Sequence, residues 1–119
     1  MKHLNILIVT SSQIIAAGLH ATLQRMRTLS TGDICTTGPD KVADYIEQNP
    51  ARLLLIDPIG INRADLDSLR KSLPQATLVA ICSCLLPKEY TKSYDYTLSI
   101  YDNPSSLADI CLLYTSPSP

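Results

Sequence analysis

The sequence contains no tryptophan and no phenylalanine, and only four glycines and two histidines among its 119 residues. A hydrophobic core built from this chain must therefore be mainly aliphatic, with the six tyrosines as its only aromatic side chains. No apolar run approaches the roughly 20 residues that a membrane-spanning helix needs, and the N-terminus lacks the small-residue cleavage site of a signal peptide. A formal net charge of −1 gives no electrostatic reason to expect nucleic-acid binding by this segment.

The four cysteines, at positions 35, 82, 84 and 111, are irregularly spaced, which favours reduced thiols in the cytoplasm over a secreted disulfide framework. Cys82 and Cys84 are close in sequence, but there is no second close pair and the two histidines lie on other predicted elements, so a zinc site is not expected. No nucleophile can be paired with an activating base, and no glycine-rich phosphate loop is present. The composition and motifs therefore predict a single cytoplasmic domain that is not an enzyme.

Apolar runs and amphipathic stretches alternate along the chain. The predicted strands span residues 4–9, 32–38, 52–57, 76–83 and 95–101, and the predicted helices span residues 12–26, 39–49, 63–73, 87–93 and 103–110. Ser11 or Ser12 is expected to cap the first helix, and Pro39 is expected at the start of the second. This alternation predicts an α/β fold, a doubly wound five-stranded parallel sheet in the order 2-1-3-4-5.

Residues 111–119, CLLYTSPSP, become rich in proline and serine where the last helix should continue. This string also resembles the translated end of a transposon-type sequencing adapter. We therefore expect residues 1–110 to form the natural domain and residues 111–119 to be a non-native tail. On this interpretation the last helix is truncated after about two turns.

Polar side chains follow the predicted strands at their carboxyl ends. Asp57 ends the third strand, and Thr10 and Ser11 follow the first strand, which is its neighbour at the topological switch point of the predicted sheet. Because ligands of α/β folds bind at this edge, Asp57 is a candidate functional carboxylate facing a shallow cleft. Its position before Pro58 is equally typical of a cap or turn residue.

The apolar frame around these residues resembles the CheY-like receiver domains of response regulators, especially those of LuxR/NarL-type transcription regulators. ILIVTSSQIIAAGL is similar to the opening VLIVDDHPLVREGL of that family, and RLLLID is similar to DLVLLD, which places Asp57 on the phospho-accepting aspartate. TLVAICS resembles the fourth strand VIVLTA, and DYTLS resembles GYLLK in the fifth. The similarity extends over residues 4–110 and implies the flavodoxin/CheY-like fold of a two-component phosphorelay protein.

The charged residues that surround the acceptor aspartate in that family are replaced here. The paired acids that help to hold Mg²⁺ fall on Thr10 and Ser11. The Lys that pairs with the phosphoryl group falls on Ser99, or on Ile100 in the alternative register. Since Mg²⁺ prefers carboxylate oxygens, we expect neither a bound Mg²⁺ nor another cofactor.

The positions that signal the phosphorylated state are also altered. The family's switch Thr or Ser falls on Cys82, although a one-residue slip would place Ser83 there, and Tyr96 occupies the position of the aromatic switch. The resemblance therefore implies a degenerate receiver, or pseudo-receiver, in which self-phosphorylation is largely lost. In such a domain we expect Asp57 to be kept for a structural hydrogen bond to the hydroxyl of Thr10 or Ser11.

The resemblance implies a regulatory input domain of a two-component-type transcriptional regulator, with a DNA-binding helix-turn-helix beyond residue 110. Its expected partner is a second copy or another protein, contacting the face formed by the fourth helix, the fifth strand and the fifth helix. Two alternatives remain open. One is a functional phospho-receiver in which Asp57 accepts a phosphoryl group from a histidine kinase, and the other is a stand-alone sensor of a small molecule or of redox state.

Overall fold

A computed structural model describes residues 4–26 and 31–115 of the chain. Within these residues five strands alternate with four α-helices and one 3₁₀ turn. In chain order the elements are β1 (Leu4–Val9), α1 (Gln13–Gln24), β2 (Thr31–Thr37), α2 (Val42–Gln48), β3 (Leu53–Ile56), α3 (Arg63–Ser72), β4 (Thr77–Cys82), the 3₁₀ turn (Lys88–Tyr90), β5 (Tyr96–Ser99) and α4 (Pro104–Thr115). No helix in this part of the chain is both long and apolar enough to cross a bilayer.

The five strands form one parallel sheet in the order β2-β1-β3-β4-β5. This confirms the predicted doubly wound α/β fold and its strand order. In the centre of the sheet Val9 of β1 pairs with Ile56 of β3, and Ile56 pairs with Ala80 of β4. The carboxyl ends of β1, β3 and β4 therefore meet at one edge, which places residues 10, 57 and 82 near one another.

Both faces of the sheet are buried, which explains why β3 and β4 are continuous apolar runs. Alternate strand residues point to opposite faces. One face packs against α2 and α3, whose buried residues are Val42, Ile46, Leu66 and Leu69. The other packs against α1 and α4, whose buried residues are Ala16, Leu23, Leu107, Ile110 and Cys111.

The cap of the first helix follows the sequence prediction, and the start of the second departs from it. Ser12 is the N-cap of α1, because its Oγ accepts a hydrogen bond from the backbone N–H of Ile15 at 3.2 Å. Asn62 caps α3 in the same way. The prediction that the second helix begins at Pro39 is wrong: the N–H of Lys41 bonds to the carbonyl of residue 38 in a turn, so α2 begins only at Val42.

The fourth connection also differs from the prediction. Residues 87–93 were expected to form a short helix, but only Lys88–Tyr90 are helical, as a single 3₁₀ turn. The segment begins with Pro87 and none of the three residues in the turn is buried. Without an apolar face to pack against the sheet, so short a segment does not recover the cost of helix nucleation. The expected partner face is therefore formed by the 3₁₀ turn, β5 and α4.

The last helix is longer than predicted. α4 spans Pro104–Thr115, so it has 12 residues and continues into the segment predicted to be a tail. Cys111 is fully buried in the core between α4 and the sheet. The predicted end of the last helix at residue 110 is therefore wrong, because the apolar residue at 111 extends its buried stripe. The adapter origin of residues 111–119 stays a prediction, and residues 116–119 lie outside the described residues.

Candidate functional site

The backbone of Asp57 joins the ends of the two central strands, and its side chain stabilises a turn. Its N–H donates to the carbonyl of Val9 at 2.9 Å, and its Oδ1 accepts from the N–H of Ile59 at 3.0 Å. The N–H of Gly60 then closes the turn on the Asp57 carbonyl at 3.3 Å. Of the two interpretations from sequence, the turn residue before Pro58 is thus present, and the half-buried carboxylate lies at the carboxyl edge of the sheet.

The predicted hydrogen bond from the hydroxyl of Thr10 or Ser11 to the Asp57 carboxylate is absent within the described residues, so this prediction is wrong. The Oγ1 of Thr10 instead accepts from the N–H of Ser12 at 3.1 Å, and Ser11 is exposed. A short hydroxyl side chain reaches its own backbone two residues ahead more readily than a neighbouring strand. Thr10 therefore shapes the entry into α1 and leaves the Asp57 carboxylate without a partner from β1.

The end of β4 places a thiol beside Asp57. Cys82 is buried, whereas Ser83 is half-buried and Cys84 is exposed. The pKa of the Cys82 thiol is raised, first by burial and then by the negative charges of Cys84 and Asp57. Because thiolates are the reactive form of cysteine, this shift lowers the reactivity of Cys82 at neutral pH and disfavours a redox sensor at this position.

β5 supplies no charged side chain at the cleft. Ser99 pairs with Cys82 across the sheet, its N–H donates to Oδ2 of Asp102 at 2.8 Å, and its Oγ accepts from the N–H of Tyr101 at 3.1 Å. Ser99 therefore stabilises the turn that leads into α4. Tyr96, at the other end of β5, has 36% of its surface exposed.

Tyr94 is a residue of this site that the sequence analysis missed. It is 9% exposed, and its buried hydroxyl has no hydrogen-bond partner among the described residues. The pKa of the phenol is raised far above its ordinary value of 10.0, first by burial and then by the charges of Asp57 and Cys82. The phenol, the thiol and the carboxylate therefore form one cluster at the ends of β3 and β4.

The neighbours of Tyr94 hold it in this position. Nη2 of Arg70 in α3 donates to the carbonyl of Ser93 at 2.8 Å and lies 3.4 Å from Oδ2 of Asp95. The same Asp95 oxygen accepts from the N–H of Leu78 at 2.9 Å. Both residues flanking Tyr94 are therefore tied to the sheet and to α3, which directs its ring into the core. No local pattern in the sequence signals this arrangement, because Arg70 is distant in the chain.

The donor set at the cleft does not fit the Mg²⁺ that the fold family implies. Asp57 is the only carboxylate at the carboxyl ends of β1, β3 and β4 in the described part of the chain. One of its oxygens already accepts a hydrogen bond from the N–H of Ile59. Thr10 likewise uses its hydroxyl oxygen for Ser12, and the other neighbours are a thiol and a buried phenol. Within the described residues no group of three His, Cys, Asp or Glu side chains is placed to hold a metal.

The buried phenol predicts a loss of stability at alkaline pH. Below pH 10 the phenol is protonated in both states, so it adds no pH dependence. Above pH 10 the unfolded chain releases this proton while the folded chain keeps it, so the free energy of unfolding falls. Tyr94→Phe should flatten this part of the profile and, by removing an unpaired hydroxyl, raise stability at pH 7 by about 1 kcal/mol.

Urea unfolding at pH 7 and across pH 9–11 measures both effects. Cys111 also lowers the free energy of unfolding over an overlapping pH range. Burial raises the pKa of its thiol from 9.0 to about 11, so above pH 9 the unfolded chain releases this proton before the folded chain does. Tyr101→Phe is the matched control, since that ring is 83% exposed and its variant should follow the parent profile. Identical profiles for Tyr94→Phe and the parent above pH 10 would contradict the placement of the phenol.

No protein-family model matches the sequence, and no curated protein sequence is significantly similar to it. Solved structures with a similar fold include the two-component transcriptional regulator AraC from Clostridium phytofermentans, with a TM-score of 0.74 and 22% identity over 93% of this chain and 95% of that chain. The isolated REC domain of RcsB from Salmonella enterica serovar Typhimurium has a TM-score of 0.77 and 11% identity over 99% of this chain and 93% of that one. A longer RcsB chain from Salmonella typhimurium is matched over 64% of its length. The chain therefore has the fold of response-regulator receiver domains.

Proposed function

We propose that this chain is the regulatory input domain of a two-component-type transcriptional regulator, and that it works without phosphorylation of Asp57. The domain is cytoplasmic and controls a LuxR/NarL-type helix-turn-helix encoded downstream of it. Its output is a protein contact, with a second copy or another protein. The receiver-domain fold supports the general class, and the cluster at Asp57 supports the independence from phosphorylation.

The observation that carries this proposal is the surroundings of the Asp57 carboxylate. Tyr94 and Cys82 are buried and near enough for the charge of Asp57 to raise the pKa of both. Thr10 accepts a hydrogen bond from the N–H of Ser12, and Ser99 brings no positive charge. Phosphoryl transfer to a carboxylate depends on a metal ion and cations that neutralise the developing charge. Each lost electrostatic contact of this kind raises the barrier by about 3 kcal/mol or more, so the loss of two leaves little catalysis.

Exposed aromatic side chains support protein contact through the face formed by the 3₁₀ turn, β5 and α4. Tyr90 is 51% exposed, Tyr96 is 36% exposed, and Tyr101 before α4 is 83% exposed. Tyrosine is enriched in protein interfaces because it combines a large contact area with a polar group. We therefore place the partner surface on this face.

The test is a titration of the ¹⁵N-labelled chain with beryllofluoride and Mg²⁺, followed by backbone amide NMR shifts. We expect no saturable shift at Asp57, Cys82 or Ser99, because the site lacks the groups that bind a phosphoryl mimic and its metal. Asp57→Asn serves as the control, since any shift that persists in it does not depend on the carboxylate. A saturable, Mg²⁺-dependent shift that Asp57→Asn abolishes would contradict the proposal and favour a functional phospho-receiver fed by a histidine kinase.

A further inference from the structure

A cavity of about 330 Å³ lies between α1 and the end of β5, on the face of the sheet opposite to Tyr94. Its walls are mainly apolar and include Ile15, Leu19, Ile81, Leu98 and Leu107. Volumes of about 300–1,000 Å³ with an apolar lining and a few polar groups are typical of small-molecule sites. Its position separates it from the Asp57 cluster.

Gly18 of α1 lines the cavity and contributes no side chain to fill it. A Cβ added at Gly18 would meet nothing within 4 Å, so no contact within the described residues requires glycine there. Glycine in the middle of a helix is less favourable than alanine by about 1 kcal/mol. At its mouth, the large apolar side chains of Ile14 and Ile100 are 86% and 45% exposed. A bound apolar group would cover both and occupy the space that Gly18 leaves.

One end of the cavity is polar and negatively charged. Asp102 is its only charged lining residue, and within the described residues it forms no ion pair. One carboxylate oxygen of Asp102 accepts from the N–H of Ser99, and no hydrogen bond to the other is found in the described part of the chain. An ammonium group is the ligand group that complements an unpaired carboxylate beside an apolar wall.

We propose that this cavity binds a small organic cation that has an apolar chain. The chain lies against Gly18 and the exposed isoleucines, and the ammonium group faces Asp102. The inference concerns a site other than the Asp57 cluster and does not depend on the proposed loss of phosphorylation.

The test is an NMR titration of the full 119-residue chain with octylammonium, octanol and octanoate, each below its micelle concentration. We expect saturable shifts at the amides of Gly18, Ser99 and Leu107, with octylammonium binding at least tenfold more tightly than octanol and octanoate showing no saturation. The absence of saturable shifts with octylammonium, or equal binding of octanoate, would overturn the proposal.

Two variants with a matched control locate the site. Gly18→Leu fills the cavity and should abolish octylammonium binding, whereas Ala17→Leu, on an exposed position of the same helix, should leave it unchanged. Asp102→Asn keeps an oxygen for the Ser99 N–H but removes the charge, so octylammonium should then bind no more tightly than octanol. Retained binding in Gly18→Leu would overturn the proposal. Shifts that vary with protein concentration without ligand, and that Gly18→Leu removes, would also overturn it in favour of a second copy as the occupant.

Discussion

Phosphorylation of Asp57 by acetyl phosphate and Mg²⁺ should rise by at least about 10²-fold when Thr10→Asp, Ser11→Asp and Ser99→Lys are combined. The two aspartates follow β1, which pairs directly with β3, so their carboxylates join that of Asp57 at one edge of the sheet. The lysine replaces Ser99, which pairs with Cys82 at the end of β4. In our proposal, Asp57 is not phosphorylated because the site lacks these metal ligands and this cation, and the three changes supply them.

Intact-mass spectrometry over time measures the phosphorylated fraction, and the same triple variant with Asp57→Asn is the control that must show none. Thr10 is buried and accepts from Ser12, so Thr10→Asp carries a risk to the start of α1. The double variant Ser11→Asp/Ser99→Lys avoids that risk and should show a smaller gain. A folded triple variant that is phosphorylated no faster than the parent would contradict our account of what the site lacks.

Leu54→Ala should destabilise the domain by about 2–5 kcal/mol, the range for a leucine removed from a rigid core. Leu54 is 0% exposed, lies in β3 between two neighbouring strands, and faces the layer of α2 and α3. Because small domains have a total stability of only about 5–15 kcal/mol, this single change removes a large share of it.

Urea unfolding of Leu54→Ala and of Leu85→Ala measures this effect with the same chemical change at two positions. Leu85 is 102% exposed in the loop after β4, so its substitution should change stability by less than about 0.5 kcal/mol. A similar loss in both variants would mean that the core does not lie where the structure places it.

Most of the fold was predictable because its signals are local. The strands around Leu7, Leu54 and Val79 are apolar runs that are buried on both faces, and the helix starts at Ser12 and Asn62 carry their own capping side chains. The elements that were wrong lack such a signal. Residues 87–93 have no apolar face, so the connection became a 3₁₀ turn, and the burial of Cys111 decides how far α4 extends.

The candidate site was predictable only in part. Its edge of the sheet and Asp57 follow from the order of the strands, and the uncharged residues at positions 10, 11 and 99 are visible in the sequence itself. Tyr94 was missed because its burial depends on Arg70 and Leu78, which hold the flanking residues from α3 and β4. The expected hydrogen bond from the Thr10 hydroxyl to Asp57 is absent within the described residues, where that hydroxyl accepts from the N–H of Ser12 at the start of α1.

The sequence by itself determined the α/β fold class, since hydrophobic periodicity is a property of short segments, and it shows that Thr10, Ser11 and Ser99 are uncharged. Only the tertiary structure decided which side chains lie near Asp57. It placed the Tyr94 phenol beside Asp57 and left an open cavity beside Gly18. Both outcomes depend on how distant segments pack against one sheet, and packing of distant segments is not encoded in any local pattern.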